Sequence, residues 1–160
     1  MSKDALFTSK RDDWCTPLQL LLGVGRFASI GLDPCSNDNS LVEAHTKWNK
    51  EDDGLSKPWV DNGLVFVNPP YGKDILHWLV KCCLEAERGA EIIGLFPARV
   101  DTKWFQYHAI TADRTLFIRG RLKFLGAKHS APFPSALCYW GDRPERFEQC
   151  FEDRGAIATW

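Results

Sequence analysis

Long apolar runs are missing from this sequence. Leu20 to Val24 and Ile92 to Phe96 are the longest, far short of the roughly 18 residues a membrane span needs, so no transmembrane helix is expected. A secretion signal is missing too. Residues Met1 to Asp13 break into charges before a signal-type apolar stretch can form, which predicts a cytoplasmic protein, and no membrane partner. Cysteines lack metal or redox spacing: they stand at 15, 35, 82, 83, 138 and 150, with no C-x-x-C pair. Neither a metal nor a disulfide is expected on that pattern. Repeats and low-complexity segments are absent as well. Bulk charge is close to nil at −1, so the molecule as a whole is not a polyanion binder.

What is present is 160 residues, and at roughly 100 to 200 residues per domain that is one domain, 1–160, with 1–11 read as a flexible lead. Hydrophobic residues at 44% and charged residues at 26% are ordinary globular usage, which disfavours disorder and predicts a buried core. The charge is unevenly placed. Between Arg99 and Lys128 seven basic residues face two acids, whereas Asp33 to Asp61 is acid-rich. Such asymmetry suits a polyanion held against one edge of the fold, or equally a solvated face of mixed helices.

Along the chain, Thr16 and Pro17 predict the cap and first turn of a short helix ended by Gly23 and Gly25. Ala28 to Leu32 then reads as a buried strand stopped by Asp33-Pro34. The stretch from Cys35 to Trp59 has room for one short strand or helix. Leu64 to Val67 is a clear strand halted by Asn68-Pro69-Pro70-Tyr71-Gly72. A helix follows, since Ile75, Leu76, Trp78, Leu79, Cys82, Cys83 and Ala86 recur at helical spacing before Gly89. Ile92 to Phe96 is a further strand, and Asp101 an N-cap for a helix carrying Trp104, Phe105 and His108. Alternating strands and helices imply a parallel sheet with both faces covered. Thr115 to Ile118 and Ala136 to Trp140 are added strands, read as an antiparallel pair at one edge.

Asn68-Pro69-Pro70-Tyr71 is the sharpest feature, four uncommon residues placed directly after a buried strand. An amino group conjugated to a ring is barely nucleophilic, because its lone pair is delocalised. Two acceptors on its hydrogens hold that pair out of conjugation, and the Asn68 side-chain oxygen and the Pro69 carbonyl supply them. The paired prolines fix φ and push Pro69 toward extended ψ, so the carbonyl's aim needs little ordering. Tyr71 offers a flat face to a planar base.

This loop, with Thr16-Pro17 opening a helix and Asp33-Pro34-Cys35 after the first strand, resembles the S-adenosylmethionine-dependent amino-methyltransferases of DNA, and most of all the small phage-type N6-adenine methyltransferases. Trp14-Cys15-Thr16-Pro17, Glu51 to Leu55, Phe96 to Phe105, Arg119 to Phe124 and Ala131 to Ala136 extend the likeness over roughly residues 12 to 140. The resemblance implies an α/β fold with a Rossmann-like class I methyltransferase sheet. It makes Asn68, Pro69, Pro70 and Tyr71 the catalytic loop, with Tyr71 stacking on an adenine flipped out of double-stranded DNA. It assigns the S-adenosylmethionine site to Thr16, Pro17, Asp33, Pro34 and Cys35. An acid taking ribose hydroxyls is sought at Asp52 or Asp53, with Asp53 preferred; a solvated turn ended by Gly54 is an equal reading. Arg99, Arg119, Arg121 and Lys123 are candidates for DNA phosphates. Phe133 and Phe124 read either as wedges against bases or as core. Trp14, Trp48, Trp59, Trp78 and Trp104 read as packing.

Two features depart from the larger methyltransferases. No glycine-rich turn follows the first strand, and about 34 residues separate Asp33 from Asn68, so the sheet is expected to be abbreviated. Two other activities fit the same loop: methylation of a protein glutamine amide, and a non-catalytic DNA-binding module on the same fold. A homodimer would widen the reach on DNA, and the sequence leaves that open.

Overall fold

A computed structural model describes residues 14–160; the charged N-terminal lead lies outside the described residues. Seven strands form one mixed sheet: β1 (Ile30–Asp33), β2 (Ala44–Lys47), β3 (Leu64–Val67), β4 (Glu91–Pro97), β5 (Arg114–Ile118), β6 (Ser135–Trp140) and β7 (Gly155–Ala158). Their order across the sheet is β2-β1-β3-β4-β6-β5-β7. The first four are mutually parallel, and β6 runs antiparallel between β4 and β5. Among the described residues four helices accompany them: α1 (Leu18–Phe27), α2 (Ile75–Glu87), α3 (Lys103–His108) and α4 (Pro144–Phe151). All four residues of β3 and all six of β6 are buried, which requires cover on both faces of the sheet.

The cover follows from helical periodicity. Ile75, Trp78, Leu79, Cys82 and Glu85 form the buried stripe of α2, while Phe27 of α1 and Phe147 of α4 close on Tyr139 of β6 with ring centroids 5.2 Å apart in each pair. Gly23 and Gly25 lie within α1 and do not end it. A Cβ on Gly23 would meet the Phe151 ring at 2.8 Å, so the glycine serves the approach of α1 to α4.

The expected central strands and α2 are present with small shifts in their ends. β1 begins two residues late, because the Ala28 N–H still bonds to the Val24 carbonyl of α1. Thr102, and not Asp101, caps α3 by accepting from the Phe105 N–H at 3.3 Å. Between Cys35 and Trp59 stand both β2 and a 3-10 turn, Lys50–Asp52. β5 and β6 do pair antiparallel, but β7 forms the edge, and α4 and β7 had not been anticipated. Gly155–Ala158 is a short run of small residues around Ile157, and β7 is held by its pairing with β5.

This topology sets where ligands go. From β1 the chain passes to β2 on one side, then returns across β1 to β3 on the other, making β1/β3 the switch point of the sheet. Ligands of open parallel sheets bind beyond the strands' carboxyl ends at such a point. Asp33 ends β1 and Asn68 follows β3.

Candidate active site

A cavity of about 550 Å³ opens at that switch point. Its size lies within the several-hundred Å³ range of small-molecule and cofactor sites. Thr16, Asp33, Pro34, Cys35, Asp53, Asn68, Pro69 and Pro70 all line it, so the structure brings together eight of the residues singled out in the sequence. A second cavity, of about 560 Å³, lies at the opposite ends of the strands beside Glu87, Glu91, Asp113 and Asp142, far from this loop.

Asn68 is oriented by its amide nitrogen, which donates to the Trp14 carbonyl and, at 2.9 Å, to the Thr16 hydroxyl. Its side-chain oxygen is buried with no partner among the described residues. Burying an unpaired carbonyl is unfavourable by about 1–3 kcal/mol, and such an atom beside a cavity is an acceptor awaiting a donor. The Pro69 carbonyl likewise accepts no hydrogen bond among the described residues. Two free acceptors thus sit on consecutive residues of a rigid turn.

Thr16 therefore holds Asn68 and does not cap α1. The N-cap is Pro17, whose ring offers no capping side chain; its carbonyl accepts from the Leu20 and Leu21 N–H groups. Pro17 opens the helix, one residue beyond Thr16 on the cavity wall.

Tyr71 also departs from expectation. Its ring is buried, edge-on to Phe124 and Phe133 at 6.1 and 5.6 Å, and its hydroxyl donates to the Leu95 carbonyl of β4 at 3.2 Å. Burial pushes its phenol well above the ordinary range. In this arrangement Tyr71 tethers the loop to the sheet, and stacking on a base requires its ring to leave that packing. Phe133 is 7% exposed and packs against Trp14, Tyr71 and Phe124. Its ring is packed in the core in this arrangement, and Phe124 is buried with it.

Asp33 is 3% exposed. Burial pushes its carboxyl up to about 6, against the bonds from the Cys35 N–H and Ser36 and the attraction of Lys47. Of the two acids sought at the next turn, Asp52 is committed to a capping box with Asn49, accepting from its N–H at 2.8 Å. Asp53 is the exposed one, held at φ 54° where the short turn ends, and it is the one on the cavity wall. Where a glycine-rich turn would stand, Gly54 makes a close approach: a Cβ on it would lie 2.1 Å from the Pro34 carbonyl oxygen. The Gly54 carbonyl accepts from the Trp59 indole N–H at 2.9 Å. A buried carboxylate, Glu85, accepts from the Trp59 backbone N–H at 2.8 Å.

Sequence reading missed the contribution of the next residues along, Ser36 and Asn37, and of Trp14, all on the cavity wall. The first two carry no pattern of their own, and an isolated tryptophan is ordinarily packing. Arg99, Arg119, Arg121 and Lys123 are exposed. Arg99 follows β4 and the other three follow β5, which runs parallel to β4, so all four rise from the same edge of the sheet as Asn68. Among the described residues no group of three or more His, Cys, Asp or Glu is placed to hold a metal ion, and no helix is long and apolar enough to cross a membrane.

A family model described as DNA N-6-adenine-methyltransferase (Dam) matches residues 3–136. Escherichia phage T1 has a protein named DNA N-6-adenine-methyltransferase that is 27% identical over 113 residues, covering 70% of this chain and 47% of the phage protein. The chain thus spans about half the length of that relative. No solved structure matches. The family match takes in the cavity, the loop and the basic segment alike, and the chain belongs to the DNA N-6-adenine-methyltransferase (Dam) family.

Proposed function

We propose that this chain is a DNA adenine-N6 methyltransferase built as a single domain on an abbreviated Rossmann-like sheet, using S-adenosylmethionine and acting on an adenine flipped out of double-stranded DNA. The observation that carries the reading is the buried, unpartnered Asn68 Oδ1, fixed by Trp14 and Thr16 at the edge of a nucleoside-sized cavity.

The cavity's donor set fits the cofactor. Asp33 supplies a buried carboxylate for a cationic or hydroxyl-bearing end, and Asp53 an exposed carboxylate for a ribose. Pro34 and Cys35 give apolar wall. When bound, S-adenosylmethionine supplies a methyl group already activated by its sulfonium centre, so the chain needs no nucleophile of its own. The protein's work is positioning and charge stabilisation. Asn68 Oδ1 and the Pro69 carbonyl accept the two N6 hydrogens, turning the amine's lone pair out of the ring. The same two oxygens face the positive charge that develops on N6. Tyr71 holds the loop in place through Leu95, and Asn68 is held from behind. Arg99, Arg119, Arg121 and Lys123 neutralise phosphates and set the duplex against this edge, without reading sequence.

Mapping N6-methyladenine on DNA from cells expressing the chain, beside cells expressing Asn68→Ala, tests the reading. Methylated adenines at a defined site in the first sample only are expected. Tritiated methyl groups appearing in protein and not in DNA would replace this reading with an amide methyltransferase. No transfer with retained DNA binding would replace it with a binding module.

A further inference from the structure

Trp14 carries the second unsatisfied group of the site. Its indole Nε1 is buried and has no hydrogen-bond partner among the described residues, although the residue lines the cavity. The ring cannot swing freely to find one. Phe124 and Phe133 meet it edge-on with centroids 5.2 and 5.4 Å away, its own carbonyl is bound by Asn68, and the next residue's carbonyl accepts from the Leu125 N–H at 3.0 Å. Two residues of one wall, joined through the Asn68 amide and the Trp14 carbonyl, therefore carry an orphaned donor, Trp14 N–H, and an orphaned acceptor, Asn68 Oδ1. Orphaned buried groups are rare and unfavourable, and two of opposite sense on hydrogen-bonded residues are complementary to one planar edge that carries an acceptor next to a donor.

Adenine has such an edge. Its exocyclic N6 donates, and the ring nitrogens on either side of that carbon, N1 and N7, only accept. We infer that Trp14 is a base-reading residue: its indole N–H donates to a ring nitrogen flanking the amino group while Asn68 Oδ1 accepts from N6. The inference rests on the methyltransferase reading above and adds to it the group that recognises the ring itself. It also gives Trp14 two separable parts. The backbone carbonyl orients Asn68, and the indole N–H contacts substrate.

Once the methylated adenine has been mapped, duplex oligonucleotides carrying 7-deazaadenine or 1-deazaadenine at that one position test the inference. Each analogue keeps the amino group and removes one ring acceptor. With the wild-type protein, one of the two is expected to lose roughly tenfold or more in kcat/KM, the order set by leaving a buried donor unpaired. Trp14→Phe, which keeps an aromatic ring and the backbone carbonyl, is expected to lose a similar factor on adenine and to treat that analogue and adenine alike. A purely structural role would lower all three substrates together and leave their ratio unchanged. Equal turnover of both analogues and adenine by the wild type overturns the inference, as does a Trp14→Phe protein that keeps the wild-type ratio. The wild-type measurement stands by itself should the variant fail to fold. Absence of methylation on the unmodified duplex would overturn the functional reading, and this inference with it.

Discussion

Asn68 has one free acceptor because its other end is spent on Trp14 and Thr16, and that division of labour separates chemistry from binding. Asn68→Ala is expected to abolish methyl transfer while leaving S-adenosylmethionine affinity within a few-fold, because the proposed cofactor contacts lie with Asp33 and its neighbours. Isothermal calorimetry beside a tritium transfer assay checks it; lost binding with residual turnover would contradict it. Asp33 is the residue whose demands on stability and function conflict. Its carboxyl ionises near 6 in the folded chain against 3.8 normally, chiefly through burial. Between those values the folded chain keeps a proton that the unfolded chain has released. The contribution of this one carboxyl to stability is therefore greatest below about pH 4 and declines as pH rises through 6, by about 3 kcal/mol at 1.36 kcal/mol per unit. Asp33→Asn is expected to remove that decline, raising the melting temperature of the ligand-free protein at pH 7 but not at pH 4, and to weaken cofactor binding. For the unchanged protein, cofactor affinity should fall as pH drops through about 6, where the carboxylate is lost. Thermal melts and binding titrations across pH 4 to 8 measure both.

At the level of elements, the cofactor wall is held by a relay from α2. Glu85 is fully buried on that helix, where Lys81 at 2.7 Å and Arg88 at 3.0 Å bond one oxygen and the Trp59 N–H bonds the other. Burial alone would raise its carboxyl, but these bonds hold it below the usual range. Trp59 in turn grips Gly54, which lies against Pro34. Glu85→Ala leaves the Trp59 N–H and Lys81 uncompensated and is expected to destabilise the fold by about 3 kcal/mol. Chemical denaturation measures that loss, and weaker cofactor binding by the still-folded fraction should accompany it. Gly54→Ala probes the same wall without touching a charge. Its methyl group would strike backbone at 2.1 Å, so cofactor affinity should fall more than stability.

Over the whole molecule, near-zero net charge conceals a basic rim. The loops after β4 and β5 lift Arg99, Arg119, Arg121 and Lys123 on the side of the sheet where Asn68 stands. Neutralising phosphates releases counterions, so DNA affinity is expected to fall with salt, and each contact removed should lower the log–log slope by about 0.9. Arg121→Ala and Lys123→Ala, measured by fluorescence anisotropy from 50 to 200 mM salt, should each show that change with cofactor affinity intact. Unchanged slopes would place the duplex elsewhere.

The residues by themselves determined the frame and the loop. Short apolar runs bounded by turn residues favour strands covered on both sides, as at Leu64–Val67 and residues 92–96. The spacing from Ile75 onward can only bury one side of a helix, and two prolines after an asparagine stiffen any turn they occupy. These are local properties, decided by steric limits and periodicity within a few residues. Tertiary structure alone decided what the side chains of the loop face. Thr16 reads as a helix cap until Asn68, 52 residues away, arrives to use its hydroxyl. Tyr71 reads as an open face and Phe133 as either wedge or core until they are found packed on each other, and Trp14 reads as packing until its N–H is found unpaired among the described residues. The polar C-terminal segment becomes a helix and an edge strand only because β5 and α1 give it something to pair with and pack on. Hydrogen-bond partners distant in sequence are chosen by the assembled sheet, and no pattern within either segment records that choice.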